Sequence, residues 1–257
     1  MLCAECGAFS LSLRLSGEAE VCSLAVRWWG MAGLIRRGLG REARRFADVL
    51  DRKALRKESF TIISNDCWGG EVYRALGMPY QTPLIGMAIY GPCFLTLLRN
   101  LRKLLNQPLC FTSETRYAEA VQLRESEQWY YPIATLGGEV EVHFGHGGTA
   151  EDCARKWSRR LQRIDWDNLY VKFADGKDGI RPEHVAEFDR LPYERKVALV
   201  SRPYPSLHST VCVRRYEENA SAMYRLAQPE FDVVRWLNGG DGKMADVRSR
   251  VRRYRTI

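Results

Sequence analysis

The stretch Thr61-Ile62-Ile63-Ser64-Asn65-Asp66-Cys67-Trp68-Gly69-Gly70-Glu71 constrains the fold most. A short β-branched run leads into small polar residues, then into glycines, then into a helical pattern. Strand-to-helix turns of this kind are the repeating unit of α/β architecture. The alternation recurs down the chain. Strand patterns are expected at Phe60–Ser64, Leu84–Tyr90, Leu109–Thr112, Ile133–Leu136, Glu139–Phe144, Asn168–Phe173 and Lys196–Ser201. Helical patterns are expected at Gly70–Leu76, Pro92–Asn106, Thr149–Ile164 and Pro182–Leu191. Gly77 would close the first helix and Pro92 would open the second. Thr149-Ala150-Glu151-Asp152 resembles a capping box, and Cys153, Trp157, Leu161 and Ile164 mark one apolar face behind it. The expected fold class is α/β, with a largely parallel or mixed sheet sandwiched by helices and a basic helical extension at the N-terminus. The expected boundaries are 1–57 for that extension, 58–240 for the α/β body and 241–257 for a basic tail. Residues 1–30 lack clear periodicity, and Met31 offers an alternative start.

Charge placement narrows the partners. The net charge is +8, but residues 31–57 carry +6 and residues 244–257 carry +4, so the body is near neutral. Nucleic-acid binding by the body is not expected, because phosphate contacts need a basic surface there. The basic ends instead suit peripheral contact with an anionic membrane, through Arg36, Arg37, Arg41, Arg44 and Arg45 among others. Ala75 to Leu98 is free of charge but is broken by Pro79, Pro83 and Pro92, so it reads as a strand and turns rather than a spanning helix. The eight cysteines lie partly in apolar runs, and acidic residues at 5, 18 and 20 interrupt any secretion signal. Reduced thiols and a cytoplasmic location, with possible membrane periphery, are expected. The single Cys3-Ala4-Glu5-Cys6 pair lacks the second pair that a zinc site needs.

Cys67 stands where a strand meets a helix, a position that exposes a side chain and favours a thiolate. A thiol nucleophile needs a base. Two of the four histidines fall together in Val142-His143-Phe144-Gly145-His146-Gly147-Gly148, at another strand end. Alternation puts Val140, Val142 and Phe144 on one face and Glu139, Glu141 and His143 on a polar one. His146 or His143 is the candidate base, and Asp167 is the candidate orienting group. Asn65, Asp66, Trp68, Gly69, Gly70 and Glu71 around the cysteine are candidate substrate contacts, with the amides near Trp68–Gly70 as an oxyanion hole. Arg159, Arg160 and Asn168 are candidate contacts for a phosphate or sugar nucleotide. A His-x-x-His pair can bind metal with a carboxylate such as Asp66 or Glu71, but no third ligand is fixed, so no metal is expected. Dinucleotide, P-loop and nucleophile-elbow motifs are absent from the sequence, and no cofactor is expected.

The blocks Phe60–Tyr73, Leu76-Gly77-Met78-Pro79-Tyr80-Gln81-Thr82-Pro83, Glu141–His146, Lys156–Arg160 with Ile164–Phe173, and Phe188-Asp189-Arg190-Leu191-Pro192 together resemble a bacterial family of unknown function. That family is usually labelled exopolysaccharide biosynthesis protein. The resemblance spans roughly residues 58–205 and implies a role in capsule or exopolysaccharide assembly. A fainter likeness to papain-like cysteine peptidases implies Cys67 as nucleophile and the histidine block as base. Gly147 departs from that pattern, where a bulkier or acidic residue is more familiar. The expected activity is therefore transfer of an acyl or related group to a sugar or lipid-linked sugar. The alternatives are a glycosyltransferase-like enzyme using a sugar nucleotide, or a non-catalytic binding module of the polysaccharide machinery.

Overall fold

The computed structural model describes residues 45–126, 130–176, 179–217 and 219–244. Two compact units divide after Asp48, and the larger, Val49–Ile257, holds every strand described here. A helix over residues 45–54 (α1) realises part of the basic segment expected from residue 31. Cys3, Cys6, residues 31–44 and residues 245–257 of the basic tail lie outside the described residues.

Strands Thr61–Ser64 (β1), Leu169–Ala174 (β5), Lys196–Val200 (β6) and Thr210–Cys212 (β7) form a parallel sheet in the order β1-β5-β6-β7. Parallel strands are normally buried on both faces, and β1, β5 and β6 are so along nearly their whole length, while edge strand β7 buries one face. One face carries Ile63, Val171, Phe173, Ala198 and Val200, covered in part by helices Gly91–Arg99 (α3), Leu101–Leu105 (α4) and Pro182–Arg190 (α7). The other carries Ile62, Tyr170, Val197, Leu199 and Val211 beneath helices Trp68–Leu76 (α2), Ala220–Leu226 (α8) and Val233–Leu237 (α9). Tyr73 fixes α2 on β1: its hydroxyl donates to the Phe60 carbonyl (2.9 Å) and accepts from the Ile62 amide (3.0 Å). Gly77 ends α2 at φ 63°, a conformation that disfavours any residue with a Cβ, and the Arg52 side chain occupies the space a Cβ would take.

A second, antiparallel sheet has strands Leu109–Thr112 (β2), Ile133–Leu136 (β3) and Val140–His143 (β4) in the order β2-β3-β4. The β3–β4 hairpin turns through Gly137 and Gly138, both at positive φ. The Thr149 cap expected from the sequence is present: its hydroxyl accepts from the Asp152 amide at the start of Ala150–Leu161 (α6).

Three sequence expectations need correction. Leu84–Tyr90 is not a strand. Gly86 turns it at φ 76°, and only Ala88 pairs, exchanging two 2.9 Å hydrogen bonds with His143. Ile89 N–H also donates to the Asn65 carbonyl, so this segment ties the edge of β4 to the end of β1. Pro92–Asn106 is two helices rather than one, because Asn100 leaves helical geometry (φ −135°, ψ 40°). Asparagine competes with the helix for backbone hydrogen bonds. Finally, both faces of β4 are buried, including the Glu141 and His143 face read as polar. The charged stretch before β3 also folds a helix, Ala118–Ser126 (α5). It carries no periodic signal, since Ala120 is its one fully buried side chain among the described residues.

Candidate functional site

A cleft of ≈700 Å³ opens where the carboxyl ends of β1 and β5 face the antiparallel sheet. Cys67, His143 and His146 all line it, with Gly86–Ala88 between them and Tyr90, Tyr131 and Asp175 contributing the walls. Open α/β sheets commonly place ligands beyond their strand carboxyl ends.

Cys67 is half-buried at the N-cap of α2, and its Sγ lies 3.8 Å from the Met87 carbonyl oxygen. The first-turn amides are only partly available. Trp68 N–H donates to Asp66 Oδ1 (3.0 Å) and Gly70 N–H to the Cys67 carbonyl (3.0 Å). This corrects the expected oxyanion hole, since those two amides are already engaged. Gly69 N–H is the remaining amide of the turn, and no partner is seen for it among the described residues. A Cβ at Gly69 would press on Ile62 at 3.1 Å, so the glycine lets α2 lie close on the strand.

His146 is exposed at the cleft mouth, and its amide donates to the Gly86 carbonyl (3.0 Å). A Cβ at Gly147 would lie 2.4 Å from Cys153 Sγ and 3.1 Å from the Phe144 Cβ, so the departure from the peptidase pattern is a packing requirement. His143 is deeper, 2% exposed. Its Nδ1 lies 3.2 Å from the Tyr131 hydroxyl, and its Nε2 lies 2.8 Å from Glu141 Oε1, off the line of an ideal hydrogen bond. Glu141 and His143 are two residues apart on one strand and so share a face. Glu141 is itself held by the Thr115 hydroxyl, the Arg116 amide (3.1 Å) and Arg116 Nε (3.3 Å).

Burial lowers the His143 pKa from its ordinary 6.5, with Glu141 pulling the other way. A depressed histidine makes the unfolded chain the better proton acceptor. Stability present above about pH 6.5 is therefore lost as pH falls through the folded value. Buried Asp175, raised by desolvation, acts in the opposite sense, its contribution being lost as pH rises. Urea midpoints for wild type and His143→Gln between about pH 7 and pH 5 should show a shallower acid loss in the variant. Parallel slopes would assign the acid sensitivity elsewhere.

Several expected site residues serve the fold instead. Asp66 is buried and holds Lys172 Nζ at 2.6 Å, with Ser64 Oγ (2.7 Å) on its other oxygen. Asn65 spans to Ala174, accepting from its amide (3.1 Å) and donating to its carbonyl (3.3 Å). Trp68 is core, packed edge-on against Tyr224 and Trp236. Glu71 pairs with Arg74. Gly70 faces Ile85. Arg159 is exposed on α6, while Arg160 donates to the Ile85 carbonyl (3.1 Å) and lies over the Tyr80 ring.

Asp167 is not brought to the histidines. β1 and β5 run parallel with Thr61 opposite Leu169 and Ser64 opposite Lys172. Cys67 follows the carboxyl end of β1, whereas Asp167 and Asn168 precede the amino end of β5, so the length of the paired strands, more than about 10 Å, separates them. There Asp165, not Asp167, organises the turn. It accepts from Ser59 Oγ (2.6 Å) and from the amides of Asp167 and Asn168, and the Ser59 bond holds its pKa low. Asn168 Oδ1 takes Lys57 Nζ (2.6 Å). Among the described residues no group of three His, Cys, Asp or Glu is disposed to hold a metal ion, and no helix is long and apolar enough to cross a membrane.

Sequence reasoning missed Tyr131, Tyr90 and Asp175 at the cleft. Glu141 was legible as the face-mate of His143. Tyr131 carries no local signal, because it reaches the site only through the β3–β4 register that sets Ile133 opposite His143.

An uncharacterized protein of Haemophilus influenzae is 27% identical to this chain over 217 residues, covering 79% of this chain and 96% of its own length. The family described as Domain of unknown function (DUF1919) matches residues 40–238, and the chain belongs to that family.

Proposed function

We propose that the protein is a cysteine-dependent group transferase, acting on a sugar or lipid-linked sugar in surface-polysaccharide synthesis. The observation that carries the reaction type is the convergence of Cys67 and both histidines of residues 142–148 on one cleft. Cys67 attacks the acyl or related donor, and its proton passes to His146 and from there to the leaving group. His146 takes this role rather than His143, whose two nitrogens face Tyr131 and Glu141. The positive end of α2 favours the thiolate, and the Gly69 amide is the donor left for the developing oxyanion. The sugar acceptor rests on the resemblance to exopolysaccharide biosynthesis proteins. Asp167 has no part in the scheme.

Iodoacetamide labelling at each cysteine, followed across pH by mass spectrometry, tests this reading. Exposed Cys110 is the comparison thiol within the same chain. Cys67, although half-buried, should label at least about tenfold faster than Cys110 near neutral pH, with a midpoint below the usual thiol value of about 8.5. His146→Ala should remove the difference. If Cys67 labels no faster than Cys110, the cysteine mechanism is wrong.

A further inference from the structure

We infer that Tyr131, linked through His143 to Glu141, is the proton-transferring group for a hydroxyl acceptor in the cleft. This rests on the Cys67 reading above and deepens it.

The direction of the wiring follows from the atoms. A carboxylate only accepts hydrogen bonds. Glu141 Oε1 lies 2.8 Å from His143 Nε2, off the hydrogen-bond line, but a lone pair on Nε2 would face the carboxylate's negative charge, so the imidazole proton is placed on Nε2 and Nδ1 presents its lone pair. The Tyr131 hydroxyl, 3.2 Å from Nδ1, is then the donor. Each member is held in place. Glu141 is 3% exposed and anchored from Thr115 and Arg116, and the His143 backbone is paired to Ala88 on one side and to Ile133 on the other. The Tyr90 ring packs against the imidazole at 5.0 Å. Tyr131 itself is 9% exposed and forms part of the cleft wall, opposite in chemistry to the thiol. Burial favours the neutral imidazole, and Glu141, pulling the other way, offsets part of the cost when a proton arrives. One histidine can serve both half-reactions of an acyl transfer, so a second proton path beside the same cleft is free to serve the acceptor. An enzyme that hands its acyl group to a sugar hydroxyl needs a base for that hydroxyl.

The step balances. The acceptor oxygen bonds the acyl carbon of the Cys67 thioester while its proton moves to the Tyr131 oxygen. The Tyr131 proton moves to His143 Nδ1, and the imidazolium faces the Glu141 carboxylate. Collapse of the tetrahedral intermediate breaks the C–S bond and leaves its electron pair on the Cys67 sulfur. The proton on His143 returns to Tyr131, and the one on Tyr131 leaves for solvent. No oxidant, reductant or further reactant is required.

The test uses the full chain, with p-nitrophenyl acetate as donor and methyl glucoside as acceptor. Wild type should release a burst of about one equivalent of p-nitrophenolate per chain, lost in Cys67→Ala. Tyr131→Phe should keep the burst but slow acetyl transfer to the glucoside about 10²-fold, the usual size of a general-base contribution. His143→Gln should lower kcat for transfer with KM for the glucoside little changed. Transfer at the wild-type rate in Tyr131→Phe, with the burst intact, overturns this inference and leaves the Cys67 reading standing. A burst that survives Cys67→Ala, or none from wild type, overturns both. Nitrogen NMR of His143 gives a readout independent of activity: Nε2 should be protonated, and Tyr131→Phe should shift Nδ1 alone. A proton on Nδ1 overturns the relay.

Discussion

Replacing Asp66 with alanine is expected to destabilise the protein by about 3–5 kcal/mol, the range seen when one partner of a buried ion pair is removed. Lys172 is 0% exposed, and its Nζ sits 2.6 Å from Asp66 Oδ2 and 5.8 Å from the Trp68 ring centroid. Without the carboxylate, an ammonium group remains between the parallel sheet and α2 with little solvent to stabilise it. The same substitution strips the acceptor from Ser64 Oγ and the Trp68 amide. The double variant Asp66→Ala/Lys172→Met should recover much of the loss, because a methionine of similar length leaves no charge to stabilise. Urea unfolding of the two single variants and the double variant gives the cycle. Additive losses, with no recovery in the double variant, would show that the pair does not act as a unit. Because Asp66 sits directly before Cys67, the single variant should also weaken the hold on the turn that presents the thiol.

Trp68→Ala should lose a comparable amount, about 3–5 kcal/mol, by emptying an aromatic cluster. Trp68 is 1% exposed, and its ring meets Tyr224, Phe231 and Trp236 at centroid distances of 6.2, 6.4 and 6.3 Å. These rings come from α8, α9 and the segment between them, so one side chain fastens the C-terminal helices to α2. Trp68→Phe keeps most of the apolar contact and should lose roughly half as much or less. Thermal unfolding of both variants checks the ordering. Near-equal losses would mean that the indole does not anchor the cluster.

The chain displays its elements plainly where burial imposes a period. The strand at β1, the Gly77 stop, the Thr149 cap and the apolar stripe of α6 follow from residues within a few positions of one another, and each appears in the fold. α5 was not legible because a helix lying on the surface needs almost no apolar stripe. The single pairing of Ala88 replaced a strand because Gly86 turns the chain just before it, at a φ that extended structure does not use.

Within the cleft, residue type alone pointed to Cys67, His143 and His146. Thiols and imidazoles at strand ends are conspicuous, and here the two strand ends meet. The roles of their neighbours were a different matter. Asp66 and Trp68 flank the cysteine and look like site residues. Their assignment to the core depends on Lys172, 106 positions away from Asp66, and on helices near the end of the chain. Asp167 resembled an orienting carboxylate until the parallel register of β1 and β5 set it at the far end of the strands. Local patterns specify what an element is and which side of it is apolar, because those depend on side chains one or two turns apart. Which elements become neighbours, and in what register, depends on closing long loops around a shared core, and one shift of register changes every contact. Cys67 as a presented thiol thus belongs to the first kind of information. The Tyr131–His143–Glu141 contacts beside the same cleft belong to the second, because they exist only where β3, β4 and the Gly86–Ala88 tether are packed together.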